Sequence, residues 1–192
     1  MKIGGLVKCS FIDYPGKISA VIFTQGCNFR CPYCHNPQLV YPGMFEKPIP
    51  FTHVYDFLRE RRGLLDAVVF CGGEPTLQAD LPEKIRAVKA LGYFVKIDTN
   101  GSRPDVLAEI LPYLDYIAMD VKAPFGPAYS SVCGVSVDDY EIRRSMLLIR
   151  ASGIPYEFRT VFHSGFMVPN DLEAMRNIFS DKEKHIVTDI SR

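Results

Sequence analysis

Three cysteines stand close together near the start of this chain of 192 residues. Cys27, Cys31 and Cys34 have the spacing C-x3-C-x2-C within the segment TQGCNFRCPYCHN. Thiolates are the usual ligands of iron–sulfur clusters, and a compact loop of closely spaced cysteines can hold one cluster. Three cysteine ligands would leave one iron of a four-iron cluster open, as a catalytic metal site requires. The spacing therefore favours an iron–sulfur cluster with one open position.

Two other metal sites are compatible with the same segment. A zinc ion would need a fourth ligand to complete its tetrahedron, and His35 or Cys9 could supply it. A c-type haem would attach through CPYCH, which satisfies C-x-x-C-H, but this leaves Cys27 without a role. The cysteines alone leave these alternatives open.

Polar residues follow four successive apolar runs that we interpret as strands. The segments after these runs are TQGCNFRCPYCHN (24–36), CGGEPTLQ (71–78), DTNG (98–101) and DVKAP (120–124). In parallel α/β folds the carboxyl ends of the strands and the loops after them form the active face. Turn formation explains the glycines, but it does not explain cysteines, carboxylates and a lysine along one edge. The pattern predicts one site built from four strand ends.

The elements that position this site alternate between strand and helix. Six apolar runs rich in β-branched residues predict strands at 18–24, 67–71, 93–97, 116–119, 156–162 and 185–190. Segments of helical period separate them, with predicted starts at Thr52, Asp80, Ser102, Ser136 and Asn170. This order predicts an α/β fold, a partial (βα)6 barrel with an open, mostly parallel sheet, since a complete barrel has eight units. A doubly wound flavodoxin-like sheet is the alternative.

Composition narrows the class of protein. Twenty-two basic residues balance 22 acidic ones, so a broad electrostatic grip on nucleic acid or on an anionic membrane is not expected. No apolar run approaches the roughly 20 residues that span a bilayer, and no signal-peptide core precedes Asp13. The sequence predicts one cytoplasmic domain over residues 1–192, in which Cys9, Cys71 and Cys133 are ordinary unpaired cysteines.

The motifs together resemble a known family. The segment CNFRCPYC, the upstream DYPGKISAVIFTQG, and the later CGGEP and DTNG are similar to those of the radical S-adenosylmethionine (SAM) superfamily. Within it the chain most resembles the activating proteins of glycyl-radical enzymes, of the anaerobic ribonucleoside-triphosphate reductase type, with pyruvate formate-lyase activating enzymes as close relatives. The resemblance extends from about residue 5 to the last strand.

The resemblance implies how the cofactors are bound. Cys27, Cys31 and Cys34 would each ligate one iron of a [4Fe-4S] cluster, and the amino and carboxylate groups of SAM would chelate the fourth. Tyr33 matches an aromatic position near the adenine. All of these residues belong to the one loop after the first predicted strand.

The other strand ends would complete the site. Gly72, Gly73 and Glu74 match a motif that receives the methionine ammonium group, because glycines permit close approach and a carboxylate pairs with a cation. Asp98 and Thr99 match positions near the ribose or a bound monovalent cation, and Asn100 of the same motif is counted with the cofactor-binding residues. Asp120 and Lys122 match D-x-K at the fourth strand end, where the acid could share that cation. Arg159 could meet the SAM carboxylate if it points inward.

The resemblance also implies an activity and its partners. One electron, from a flavodoxin or ferredoxin-type donor, would pass through the cluster to SAM, and the resulting 5′-deoxyadenosyl radical would take a hydrogen atom from a glycine of a partner enzyme. A radical SAM enzyme acting on a small molecule and a non-enzymatic zinc-binding module are the alternative functions.

Overall fold

Seven strands form a single sheet in the order in which they occur in the chain. The computed structural model describes residues 1–190. The strands are β1 Ile3–Ser10, β2 Ser19–Thr24, β3 Ala67–Gly72, β4 Phe94–Thr99, β5 Tyr116–Asp120, β6 Tyr156–Phe162 and β7 His185–Asp189. All six predicted strands are present, and β2 to β7 run parallel to one another. The open, mostly parallel α/β sheet is thus confirmed.

Strand β1 was not predicted. It pairs antiparallel with β2, with Ile3 opposite Thr24 and Ser10 opposite Ser19. Its sequence IGGLVKCS carries two glycines, which weaken strand propensity and hide the apolar pattern. Long-range pairing with the buried strand β2 supplies the order that the local sequence lacks. The sheet therefore begins with an edge strand that turns back on its neighbour.

Seven α-helices of the described chain connect the strands. They are α1 Pro37–Val40, α2 Phe51–Glu60, α3 Leu81–Ala90, α4 Pro104–Ile110, α5 Pro127–Cys133, α6 Asp139–Ala151 and α7 Pro169–Arg176. The predicted helices exist, but most of the predicted starts are wrong by one to three residues. Asp80 does precede α3, yet its side chain makes no cap, because its carboxylate binds the amino group of Met1 instead. Within residues 1–190 no helix has the length and apolar character needed to cross a membrane.

The two faces of the sheet differ in what covers them. Helices cover the outer face, where alternate strand residues such as Ile22, Phe70 and Ile97 join one large apolar core. The inner face has a small apolar core in which Tyr14, from the β1–β2 connection, packs on Val69 and neighbours at the amino ends of the strands. The inner face is therefore closed at this end and polar toward the other.

Candidate functional site

One cleft at the carboxyl ends of β2 to β6 contains every residue assigned to the cofactors from the sequence. Its cavity volume is about 210 Å³, and the cleft is open to solvent. Its lining includes the three clustered cysteines and the residues from the other strand ends: Cys27, Cys31, Tyr33, Cys34, Gly72, Gly73, Glu74, Asp98, Thr99, Asn100, Asp120, Lys122 and Arg159. The parallel register places these strand ends side by side. The sequence prediction that they meet at one edge agrees with this geometry.

Backbone hydrogen bonds fix the start of the cysteine loop. The Gly26 N–H donates to Leu39 O at 2.7 Å, and the Gly26 carbonyl accepts from Glu74 N at 2.8 Å. Gly73 N also donates to Thr24 O at 2.9 Å. The loop that carries the cysteines is thus held against the loop that follows β3.

Gly72 and Gly73 are required by this close backbone approach. Gly72 has φ +122°, and a Cβ there would lie 2.2 Å from Thr24 N. A Cβ at Gly73 would lie 2.1 Å from Gly26 O. Both contacts are to backbone atoms, which cannot rotate away. The two glycines therefore shape the cleft independently of any ligand.

Replacing Gly73 by alanine is expected to lower the free energy of unfolding by about 3 kcal/mol, because the new methyl group would break the Glu74 N to Gly26 O bond. Urea unfolding of the cluster-free protein measures this. Gly43→Ala is the matched control, since a Cβ there meets nothing within 4 Å, and it should change stability by less than about 1 kcal/mol. Equal effects of the two substitutions would contradict the steric role of Gly73.

Glu74 is fully buried and its carboxylate joins two strand ends. Oε1 accepts from Thr76 N (3.1 Å), Thr76 Oγ1 (2.6 Å) and Thr99 Oγ1 (2.7 Å). Oε2 accepts from Asn100 N at 2.7 Å and retains a further acceptor position. Burial raises the pKa of Glu74, while these hydrogen bonds act in the opposite direction. Glu74, in the loop after β3, thus holds the loop after β4 in place through hydrogen bonds.

Arg159 points inward and bridges two carboxylates. Its NH1 and NH2 lie 3.1 Å from Asp98 Oδ2, and its Nε lies 3.2 Å from Asp120 Oδ1. Burial would lower the pKa of Arg159, but Asp120 and Asp98 outweigh it and raise the pKa above its usual value. The guanidinium lies between the two aspartates that were predicted to share a monovalent cation, so a bound cation would have to rearrange these contacts. Cation binding stays a prediction.

Lysines flank this group on both sides. Lys122 Nζ donates to Asp120 Oδ2 at 2.8 Å. Lys96 Nζ lies 2.7 Å from Asp98 Oδ1 and also donates a hydrogen bond to Asp13 O. Asp98 Oδ1 is a buried oxygen whose partner is this ammonium group. Its second lone pair could accept from a ligand hydroxyl.

Tyr33 packs in an aromatic group at the mouth of the cleft. Its ring stacks with His163 at a centroid distance of 6.3 Å and lies 6.1 Å from the ring of Phe166. The Tyr33 hydroxyl is buried without a hydrogen-bond partner among the described residues. Tyr33 has a packing role here, and its predicted contact with adenine stays a prediction.

The cysteine loop has the donors and the spacing for a cluster. Within residues 1–190 no three His, Cys, Asp or Glu side chains are close enough to hold a single metal ion. A four-iron cluster binds each thiolate at a different iron, so its ligands stand further apart than those of one zinc ion. Cys9, considered as a zinc ligand, lies on β1 and does not line the cleft. Of the two residues considered as a fourth zinc ligand, only His35 lines the cleft.

Comparison with known proteins decides the family. A family model described as the radical SAM superfamily matches residues 21–179. The chain belongs to the radical SAM superfamily. This radical SAM protein is an enzyme of a family whose cofactors are a [4Fe-4S] cluster and SAM. Its motifs were therefore correctly recognised from the sequence.

Relatives place this radical SAM enzyme near the activating enzymes. It is 38% identical over 195 residues to a candidate glycyl-radical enzyme activating enzyme of Methanocaldococcus jannaschii, covering 96% of this chain and 78% of that protein. It is 32% identical over 143 residues to the pyruvate formate-lyase-activating enzyme of Clostridium pasteurianum, covering 69% of this chain and 57% of that enzyme. The solved structure of Streptococcus suis SuiB bound to S-adenosylmethionine matches with a TM-score of 0.68 at 18% identity, over 90% of this chain and 40% of that chain, which shows the fold.

Several residues in or beside the cleft were not assigned from the sequence. Cys71 lines the cleft from the inner face of β3, where strand alternation could have indicated it. Cys133, at the end of α5, forms a side-chain hydrogen bond with Cys31 that lowers the pKa of Cys31. Asn28 contacts Asn100 across the loops. No sequence pattern indicates the roles of Cys133 and Asn28, because each of their contacts joins segments that are distant in sequence.

Proposed function

We propose that this chain activates a glycyl-radical enzyme by removing a hydrogen atom from a glycine of that partner protein. The observation that carries the proposal is the cleft: all the cofactor residues implied by the activase resemblance line it. The relation to a candidate activating enzyme over 96% of the chain supports the same assignment. When bound, the cluster and SAM supply the one-electron chemistry that the protein's own side chains lack.

The residues of the cleft divide this work. Cys27, Cys31 and Cys34 would hold three irons of the cluster and leave the fourth for SAM. Glu74, through the free acceptor position of Oε2, and the backbone at Gly72 and Gly73 bind the methionine ammonium group.

The charged residues orient the rest of SAM. Asp98 Oδ1, beside its ionic contact with Lys96 Nζ, accepts from a ribose hydroxyl. Arg159 and Lys122 supply the positive charge that a carboxylate requires. Asp120 holds both cations in place through its contacts with them.

The partner is a protein that presents a glycine at the mouth of the cleft. Anaerobic ribonucleotide reductase and pyruvate formate-lyase are the two candidate types of partner. The motifs of the sequence most resemble those of activators of the first, and one matched relative is named as an activating enzyme of the second. The electron donor in this proposal is a flavodoxin or a ferredoxin, and the enzyme acts in the cytoplasm.

The test is electron paramagnetic resonance on the mixed proteins. The chain is reconstituted anaerobically with iron and sulfide, reduced with dithionite or reduced flavodoxin, and mixed with SAM and each candidate partner. A doublet that collapses to a singlet when the partner contains deuterated glycine is the expected result. A partner with alanine at the radical position is the control.

Other outcomes distinguish the alternatives. If the chain forms deoxyadenosine from SAM but generates no radical on any glycyl-radical enzyme, the activase proposal is overturned in favour of an enzyme that acts on a small molecule. Protein that binds one zinc and no sulfide after anaerobic reconstitution would overturn the enzyme proposal and leave a zinc module.

A further inference from the structure

Asn100 lies beside the sulfur of a proposed cluster ligand. We propose that Asn100 is a positioning residue that sets the reduction potential of the cluster: its carboxamide donates a hydrogen bond to Cys27 Sγ and favours the reduced state. The inference rests on the proposed cluster binding by Cys27, and it adds a residue that controls how readily the cluster accepts an electron.

The contact involves a buried and fully constrained carboxamide. Asn100 is 5% exposed. Its Nδ2 lies 3.9 Å from Cys27 Sγ and donates to Asn28 Oδ1 at 3.0 Å. Its Oδ1 accepts from Ser102 N at 2.9 Å. An amide NH2 has two hydrogens, and with one on Asn28 the other is free to point at the sulfur.

The network determines which end of the carboxamide faces the sulfur. A backbone N–H can only donate, so the Asn100 atom facing Ser102 N must be the oxygen. The nitrogen must then face Cys27 and Asn28. Asn28 is held in turn, since its Nδ2 donates to Ser102 Oγ at 2.9 Å.

Glu74 anchors the backbone of the same residue. Its Oε2 accepts from Asn100 N at 2.7 Å, and its Oε1 accepts from Thr99 Oγ1 at 2.7 Å. Because Glu74 is completely buried, this anchor does not exchange with solvent. These hydrogen bonds fix the loop after β4 beside the cysteine loop. The Asn100 carboxamide therefore has one available orientation.

A hydrogen bond to a ligating thiolate has a known direction of effect. It withdraws negative charge from the sulfur, which makes addition of an electron to the cluster less unfavourable. Phe29 N already donates to Cys27 Sγ at 3.4 Å. Asn100 therefore adds a side-chain donor to a sulfur that has a backbone donor, and Cys27 becomes a ligand at which a side-chain substitution can adjust the potential of the cluster.

The test is a redox titration of the reconstituted chain without SAM, followed by electron paramagnetic resonance. In Asn100→Ala we expect the ratio of reduced to oxidised cluster, at the wild-type midpoint potential, to fall about tenfold, which is about 59 mV for a one-electron couple. Asn28→Ala should shift the ratio in the same direction by less, because it only releases the carboxamide. Asn36→Ala, which removes an amide lining the same cleft without a bond to a cysteine, should leave the ratio unchanged.

The outcomes separate this inference from the proposed function. An Asn100→Ala cluster with the wild-type midpoint overturns the role of Asn100 and leaves the activase proposal intact. If Asn100→Ala fails to assemble a cluster, Asn28→Ala decides, since Asn28 has no contact with the sulfur, and an unchanged midpoint there overturns the inference. A wild-type chain that assembles no cluster overturns the proposed function itself.

Discussion

Replacing Cys31 by alanine is expected to abolish both cluster assembly and cleavage of SAM. The substitution removes one of the three thiolates that would hold the cluster, and two ligands do not replace three. After anaerobic reconstitution we expect iron and sulfide near background and deoxyadenosine formation reduced by more than about 100-fold, beyond what loss of an outer partner of a metal ligand produces. Iron and sulfide analysis and chromatography of deoxyadenosine measure this.

Two other cysteines provide controls for this experiment. Cys9→Ala changes an exposed thiol on β1 outside the cleft and should load a full cluster. Cys133→Ala removes the buried thiol that contacts Cys31, and we expect it to retain the cluster at a stability cost of a few kcal/mol. A brown, active Cys31→Ala protein would show that the ligand assignment is mistaken. Loss of the cluster in Cys133→Ala would show that Cys133 takes part in binding it.

Replacing Arg159 by alanine is expected to have the second largest effect, because it leaves two aspartates facing each other without the cation between them. Asp98 and Asp120 contact the guanidinium at 3.1 and 3.2 Å on the inner face of the sheet. This group is partly buried and Lys96 and Lys122 still face the aspartates, so we expect a cost of about 3 kcal/mol, at the lower end for a broken buried pair. Urea unfolding of the cluster-free protein measures this cost without reference to activity, and SAM cleavage by the reconstituted variant should also fall.

Arg150 supplies the matched control for this substitution. Arg150 forms a comparable paired contact with Glu183 and does not line the cleft. Arg150→Ala should lower stability while leaving deoxyadenosine formed per cluster unchanged. If Arg159→Ala and Arg150→Ala lower stability and spare cleavage equally, Arg159 is only a structural residue.

The pH dependence of stability gives an independent check on Arg159. Burial raises the pKa of Asp120, but Lys122 and Arg159 outweigh it and hold the pKa below its usual value. A carboxyl with a lowered pKa stabilises the fold above its unfolded pKa of about 4, and this contribution is lost as the pH falls through the lower folded pKa. Wild-type stability should therefore decline below about pH 4, and Arg159→Ala should decline less, since it has already lost the contribution of Arg159.

Much of the fold could be predicted because the signals are local. Strands β2 and β3 are continuous apolar runs, as strands buried on both faces require, and the later parallel strands have β-branched or aromatic residues around their charged ones. Strand β1 could not be predicted from IGGLVKCS, since its order comes from pairing with β2. The start of α3 shows the same limit: Asp80 has a capping residue type, but the amino group of Met1, 79 residues away in sequence, takes its carboxylate.

The site could be located from the sequence but its internal contacts could not. The sequence shows which strand ends carry cysteine, glycine and carboxylate residues, and the parallel topology of the sheet brings these ends together. The bridge from Arg159 to Asp98 and Asp120 depends on the register that places Arg159 beside Asp120 across β5 and β6. The steric need for Gly73 depends on where the Gly26 carbonyl lies. Both follow from three-dimensional spacing, which the sequence pattern does not specify.

The packing of Tyr14 on Val69 and Tyr116 closes the inner face at the amino ends of the strands. The cleft is consequently closed at this end, and a ligand reaches it from the carboxyl ends of the strands. In the proposed reaction the partner protein would approach the same end, and while bound it would hinder the release of methionine and deoxyadenosine. We expect the departure of the partner to limit the rate at which the enzyme turns over.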